Sequence, residues 1–235
     1  SITVTKAREP EHLARLKGAY DPELVRVVLP YDARIVLLGI EGDVAPPLPG
    51  QAPRRRYLAY GSSITQGYSA PVPTATYAFL TAKALNMDLV NFGFAGSARM
   101  EPELADYIAA RGDWDMATLE MGVNVVGVFT PEEFRRRVEY FVDAVAGRNP
   151  DKPVFCIDLF RCYGSFSEHP NIPAFRRIVR ETAESGRHAN VKFLDGRDLL
   201  PSADGLAEDL VHPSADGMRM IAERLAAAMR GAGTA

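Results

Sequence analysis

Tyr57-Leu58-Ala59-Tyr60-Gly61-Ser62-Ser63-Ile64-Thr65-Gln66-Gly67 is a short apolar run that closes on a serine pair between glycines. The run reads as a strand. Its glycines let the backbone turn sharply at the strand end and come close to a ligand. A serine at that point can present an exposed, reactive hydroxyl. Such a hydroxyl lacks three things: a base, an acid that orients the base, and donors for an oxyanion.

Downstream, strand and helix patterns alternate. Thr76 through Leu85 places Tyr77, Leu80, Ala84 and Leu85 on one helical face. Asp88–Phe94 reads as a second strand and Glu101–Ala110 as a helix with Pro102 and acidic residues at its start. Met116–Met121 is a third strand. Thr130-Pro131-Glu132-Glu133 is a helix start in which Thr130 caps, Pro131 takes the first position and Glu133 completes a capping box. Phe134, Val138, Phe141, Val142 and Val145 form the stripe of that helix, which Gly147 and Pro150 stop. Val154–Leu159, then a helix from Ala174 to Ser185, then the strand Val191–Leu194 follow. Ser214 caps a last helix with the stripe Met218, Ile221, Leu225 and Met229. This alternation predicts an α/β fold: a doubly wound, mostly parallel five-stranded sheet whose functional rim is the carboxyl ends of its strands.

Four polar features fall in loops that such a sheet gathers on one rim. Ser63 follows the first strand, Gly96 the second and Asn124 the third, while Asp209 and His212 precede the last helix. Ser63 suits a nucleophile, and His212 a base, since imidazole titrates near neutral pH. Asp209 is near enough to hold the ring tautomer. Asn124 and the Gly96 N–H can donate to an oxyanion. Turn chemistry explains any one of these residues taken alone. It explains poorly why all of them fall at the same rim.

Read together, these blocks resemble the SGNH hydrolase superfamily, the GDSL-type esterases, lipases and acyltransferases. The resemblance covers about residues 55–230. Gly61-Ser62-Ser63-Ile64 is similar to the first block, Gly96 to the second-block glycine, Gly122-Val123-Asn124 to the third block and Asp209-Leu210-Val211-His212 to the last. It implies a flavodoxin-like fold, a catalytic triad of Ser63, Asp209 and His212, and an oxyanion hole made by Ser63 N–H, Gly96 N–H and the Asn124 amide. Two positions depart from the pattern: Ser62 stands where the family has Asp, and Val125 where the third block has Asp. Ser62 is the rival nucleophile, and the alignment of Ile64 and Thr65 favours Ser63. His169 is a weaker base candidate, since no family block includes it.

The implied activity is a serine-dependent acyl hydrolase, an esterase that deacetylates a sugar or other small hydroxylated substrate. An acyltransferase using an acyl donor and an alcohol acceptor is the alternative, and a non-catalytic ligand-binding module is the second. Tyr68 and Arg99 are candidate substrate contacts, although Arg99 is read first as a surface partner of Glu101 or Glu103. Glu120, near the end of an apolar strand, fits either a buried network or a rim carboxylate.

Upstream, residues 1–50 form a separate β segment with a proline-rich linker, and residues 51–235 the catalytic domain. Ile2–Thr5 alternates with period two, and Leu24–Leu29 and Ala33–Leu38 are rich in β-branched residues, so all three read as strands. Three short strands bury little surface alone, so either they pack on the main domain or they are, as the resemblance implies, the remnant of an N-terminal β-sandwich module. The 235 residues carry 27 basic and 30 acidic side chains, a formal net charge of -3. That balance gives no electrostatic footprint for nucleic acid or an anionic membrane. Cys156 and Cys162 have no zinc-ligand spacing, so no metal or other cofactor is expected. The chain begins at Ser1 without a basic-then-apolar leader, and the compartment is left open.

Overall fold

The computed structural model describes residues 21, 24–30, 33–164 and 167–231. Its elements are β1 (Arg56–Gly61), α1 (Ser63–Gln66), α2 (Tyr77–Ala84), β2 (Asp88–Gly93), α3 (Pro102–Arg111), β3 (Met116–Glu120), α4 (Pro131–Gly147), β4 (Val154–Ile157), α5 (Asn171–Ala183), β5 (Val191–Leu194), α6 (Gly196–Leu199) and α7 (Ala215–Arg230). Five strands form one sheet in the order β2-β1-β3-β4-β5. Every pairing is parallel, so the order reverses next to β1, where the serine loop begins.

Two apolar layers sandwich the sheet. One joins Leu58, Tyr60 and Leu119 to α3, α4 and α5 through Ile108, Phe134, Phe141 and Phe175. The other joins Tyr57, Phe155 and Ile157 to α2 and α7 through Tyr77, Ala78, Met218 and Leu225. Central strands buried on both faces are mostly apolar. Accordingly β3 and β4 are buried along their whole length and β1 from Tyr57 onward, whereas the edge strands β2 and β5 are only partly buried.

The predicted stripes of α4 and α7 are the faces they bury. Ser214 caps α7 by accepting from Gly217 N–H at 3.2 Å. At α4, Thr130 accepts from Glu133 N–H at 3.2 Å, but Glu133 does not bond back. Its carboxylate takes Arg137 Nε at 2.8 Å instead, so only half of the expected capping box forms. Helix α2 buries Tyr77, Ala78, Thr81 and Ala82, while Ala84 is exposed. The buried face is therefore rotated from the predicted one, because α7 packs small residues closely there. Helix α5 begins at Asn171, earlier than predicted. Pro173 lies in its first turn, where a missing N–H costs no intrahelical bond.

The N-terminal stretch differs from its reading. Ile2–Thr5 lies outside the described residues. Leu24–Leu29 and Ala33–Leu38 carry no strand among the described residues. β-Branched side chains favour an extended backbone, but a strand also needs a ladder partner, and the described residues supply none. Val36, Leu37, Leu38 and Ile40 remain exposed.

Candidate active site

The site starts where β1 ends. Parallel register sets Gly61 opposite Gly93, and Phe94 N–H donates to Gly61 O at 2.8 Å. The chain then enters α1 directly, with Ser62 as its cap. Ser62 Oγ accepts from Ile64 N–H at 3.2 Å, so this hydroxyl is committed to the helix start. Ser63, the first residue of α1, turns its hydroxyl the other way: Ser63 Oγ lies 2.8 Å from His212 Nε2. The two residues are 149 positions apart in sequence. Between the two serines, it is Ser63 that meets the imidazole.

Asp209 completes the chain of contacts. Its Oδ2 lies 2.5 Å from His212 Nδ1, and its Oδ1 accepts from the Val211 and His212 amides at 2.9 Å each. Burial alone would raise this carboxyl, but the bonds from the His212 ring and the two amides outweigh it, and Asp209 sits below its ordinary value. Its turn role and its contact with the ring are thus realised together. Leu210, at φ 57°, lets the loop double back, and its carbonyl accepts from Tyr163 N–H at 2.8 Å. Ala207 N–H donates to His212 O at 2.7 Å, which fixes the other side of the loop.

The loops of Gly96 and Asn124 flank the serine loop because β2 and β3 flank β1. Gly93 permits this closeness: a Cβ there would lie 2.1 Å from Gln66 N. Gln66 Oε1 accepts from Ala95 N–H at 2.8 Å, docking the Gly96 turn onto α1. Asn124 Oδ1 accepts from Ala98 N–H at 3.1 Å. That bond joins the two loops and leaves the Asn124 amide hydrogens for another acceptor. Behind them, Asn171 Nδ2 donates to the carbonyls of Val126 and Phe129 at 3.0 Å each.

Tyr68 comes to the site: its ring centroid is 4.4 Å from that of His212, and the side chain is half exposed. Arg99 is exposed, and among the described residues it pairs with neither Glu101 nor Glu103. His169 Nδ1 accepts from Asn171 N–H at 3.2 Å at the start of α5, so its ring serves a helix end. Glu120 is fully buried, which selects the network over the rim carboxylate. Cys156 is a buried thiol pushed up to about 12 by burial, and it is not disulfide-bonded. Among the described residues no group of three His, Cys, Asp or Glu side chains could hold a metal ion, and no helix is long and apolar enough to cross a membrane. Sequence reasoning missed Gln66, Tyr163 and Asn171 as braces. Gln66 alone carried a signal, since it lies inside the opening block.

Residues 59–220 match the family model described as the GDSL-like Lipase/Acylhydrolase family. The chain belongs to this GDSL-like family. Its members are esterases or acyltransferases. Solved structures with the same SGNH hydrolase fold include a salicylyl-acyltransferase from a tetracycline biosynthetic pathway, at 25% identity and TM-score 0.67, covering 77% of this chain and 55% of that one. A family two carbohydrate esterase from Clostridium thermocellum, solved with cellohexaose, aligns at 18% identity and TM-score 0.64, covering 80% and 66%. An acetyl-xylooligosaccharide esterase variant from Geobacillus aligns at 19% identity and TM-score 0.58, covering 78% and 96%. The chain thus spans about half the length of the acyltransferase. Among curated proteins, no sequence match was found.

Proposed function

We propose that this GDSL-like chain is a serine-dependent acyl hydrolase acting through an acyl-enzyme on Ser63. The observation that carries the reading is the continuous contact from Ser63 Oγ through the His212 ring to Asp209. His212 Nε2 takes the Ser63 proton as Oγ attacks an ester carbonyl. The C–O bond forms, and charge moves to the carbonyl oxygen. Ser63 N–H, Gly96 N–H and the Asn124 amide are the proposed donors to that oxygen. Collapse breaks the bond to the leaving alcohol, which receives the proton from His212. Water then repeats the sequence on the acyl-enzyme: His212 takes its proton, and Ser63 leaves with that proton restored. Asp209 holds Nδ1–H throughout and so keeps Nε2 free to accept.

The proposed substrate is a small hydroxylated molecule, such as an acetylated sugar. The half-exposed ring of Tyr68 beside His212 supports this, since an aromatic face next to the base can seat a leaving alcohol. Acyl transfer is the second reading, favoured by the likeness to the salicylyl-acyltransferase. In that case an acceptor hydroxyl replaces water in the second half.

The test is labelling with a fluorophosphonate together with hydrolysis of a chromogenic ester, with and without added alcohol. The native chain should label at Ser63 and turn over ester, and Ser63→Ala should do neither. A folded native chain inert to both reagents would make it a ligand-binding module. Appearance of an acyl-alcohol product, with faster release of the chromophore, would move the assignment to a transferase.

A further inference from the structure

Glu120 ends β3 beneath the serine loop. Its side chain is 1% exposed, at the end of a fully buried strand in which Thr118 is the other polar residue. Its Oε2 accepts from Ser62 N–H at 2.6 Å and from Thr65 Oγ1 at 3.1 Å. Thr65 has one hydroxyl hydrogen and gives it to Glu120, so the Tyr77 hydroxyl, 2.6 Å away, donates to Thr65. Gly61 leaves room for this arrangement: a Cβ there would lie 2.4 Å from Glu120 Oε2. The other oxygen, Oε1, is buried and has no hydrogen-bond partner among the described residues. A carboxyl group placed this deep is costly, so one that serves only packing would be better replaced by an apolar side chain.

What it touches gives the reason. Ser62 N–H belongs to the peptide just ahead of Ser63, and Ser62 is itself buried. The Ser62 hydroxyl is already used on Ile64 N–H. Without Glu120, the Ser62 N–H would be buried and unpaired, and the Gly61–Ser62 peptide would be free to tilt. Tilting that peptide swings Ser63 Oγ away from His212. Resting on the reading of Ser63 as nucleophile, we infer that Glu120 is a positioning residue: its Oε2 fixes the Ser62 main chain and so aims the Ser63 hydroxyl at the imidazole. The group works through the place of one oxygen and not through its charge.

Two substitutions separate place from charge. Glu120→Asp keeps the charge but withdraws the oxygens by about 1.5 Å. Glu120→Gln removes the charge but keeps an acceptor oxygen where Oε2 stands. Both are measured as kcat and KM on a chromogenic ester, per site titrated with fluorophosphonate, in protein whose circular dichroism matches the native chain. Glu120→Asp should lose roughly 10- to 100-fold in kcat, with KM within about twofold, as a shift near 1 Å costs at a reacting group. Glu120→Gln should keep kcat within about threefold. The reverse pattern would mean that charge matters, and overturns the proposal. Equal losses in both variants, or no loss in either, overturn it as well. Should the native chain neither label nor turn over ester, the hydrolase reading falls and takes this one with it. An active native chain with the wrong pattern in the variants removes only the role of Glu120.

Discussion

The two oxygens of Asp209 are committed differently, and that division makes Asp209→Asn informative. Oδ1 holds the Val211 and His212 amides, while Oδ2 faces His212 Nδ1. In the Asn variant the side-chain oxygen stays with the two amides, since the amide nitrogen cannot accept from them. That nitrogen then faces Nδ1 as a donor. Nδ1 must accept, so the ring proton moves to Nε2, which can no longer take the Ser63 proton. Turnover should fall by roughly 10⁴ with the loop intact, the scale seen when an orienting carboxylate becomes an amide. Steady-state rates together with the rate of fluorophosphonate labelling check this. A loss below about tenfold in a folded variant would mean that the ring does not depend on Asp209 for its tautomer.

A second carboxyl works at the scale of elements. Asp158 follows β4 and takes Gly196 N–H at 2.6 Å, at the start of α6. Arg176 of α5 approaches Asp158 Oδ2 at 3.2 Å and Asp195 Oδ1 at 3.8 Å, so β4, α5 and the end of β5 meet around one guanidinium. Burial lifts the Asp158 carboxyl to about 6, with Arg176 and the Gly196 amide opposing. A carboxyl whose pKa is raised on folding binds its proton more tightly folded than unfolded. Its favourable contribution is therefore present below its ordinary value near 4 and is lost as pH rises toward 6. Asp158→Asn is neutral throughout and can still accept from Gly196. The stability of the Asn variant relative to the native chain should increase from pH 4 to pH 6, read as urea midpoints. A pH-independent difference would exclude that role. The same elements show what the sequence discloses. Stripes such as Phe134, Val138 and Phe141 are periodic, so α4 and α7 could be read directly. The one-turn α1 has no period to detect. Neither does the clip around Arg176, whose partners lie 18 to 19 residues away on either side and are joined only by tertiary packing. Ser63, His212 and Asp209 were legible because each sits in a motif block. Tyr163 and Asn171 act through backbone groups of other loops, which no local pattern encodes.

At the scale of the whole molecule, parallel strands put every strand-following loop at one rim, and the serine, its imidazole and its carboxylate all lie between residues 63 and 212. Among the described residues, the two apolar layers that support them are also built from residues beyond Gln51. By contrast, the described part of residues 24–50 keeps Val27, Leu37, Leu38 and Ile40 exposed. Arg26 pairs with Asp88 at the start of β2, and both side chains are about one-third exposed. Such a pair contributes about 0–1 kcal/mol. Arg26, Val27, Val28 and Leu29 also line a groove of about 570 Å³ with Gln66, Phe79 and Leu89. A variant combining Leu37→Ser with Leu38→Ser, at two side chains that are 66% and 94% exposed, should therefore unfold cooperatively with a Tm within about 4 °C of the native chain, since 1 kcal/mol moves Tm by about 2–4 °C at this size. Its ester turnover should stay within about threefold, because among the described residues neither leucine contacts Ser63, His212 or Asp209. Calorimetry and the chromogenic ester assay measure both. A broad, non-cooperative transition, or a much larger fall in Tm, would place Leu37 and Leu38 inside the folding unit.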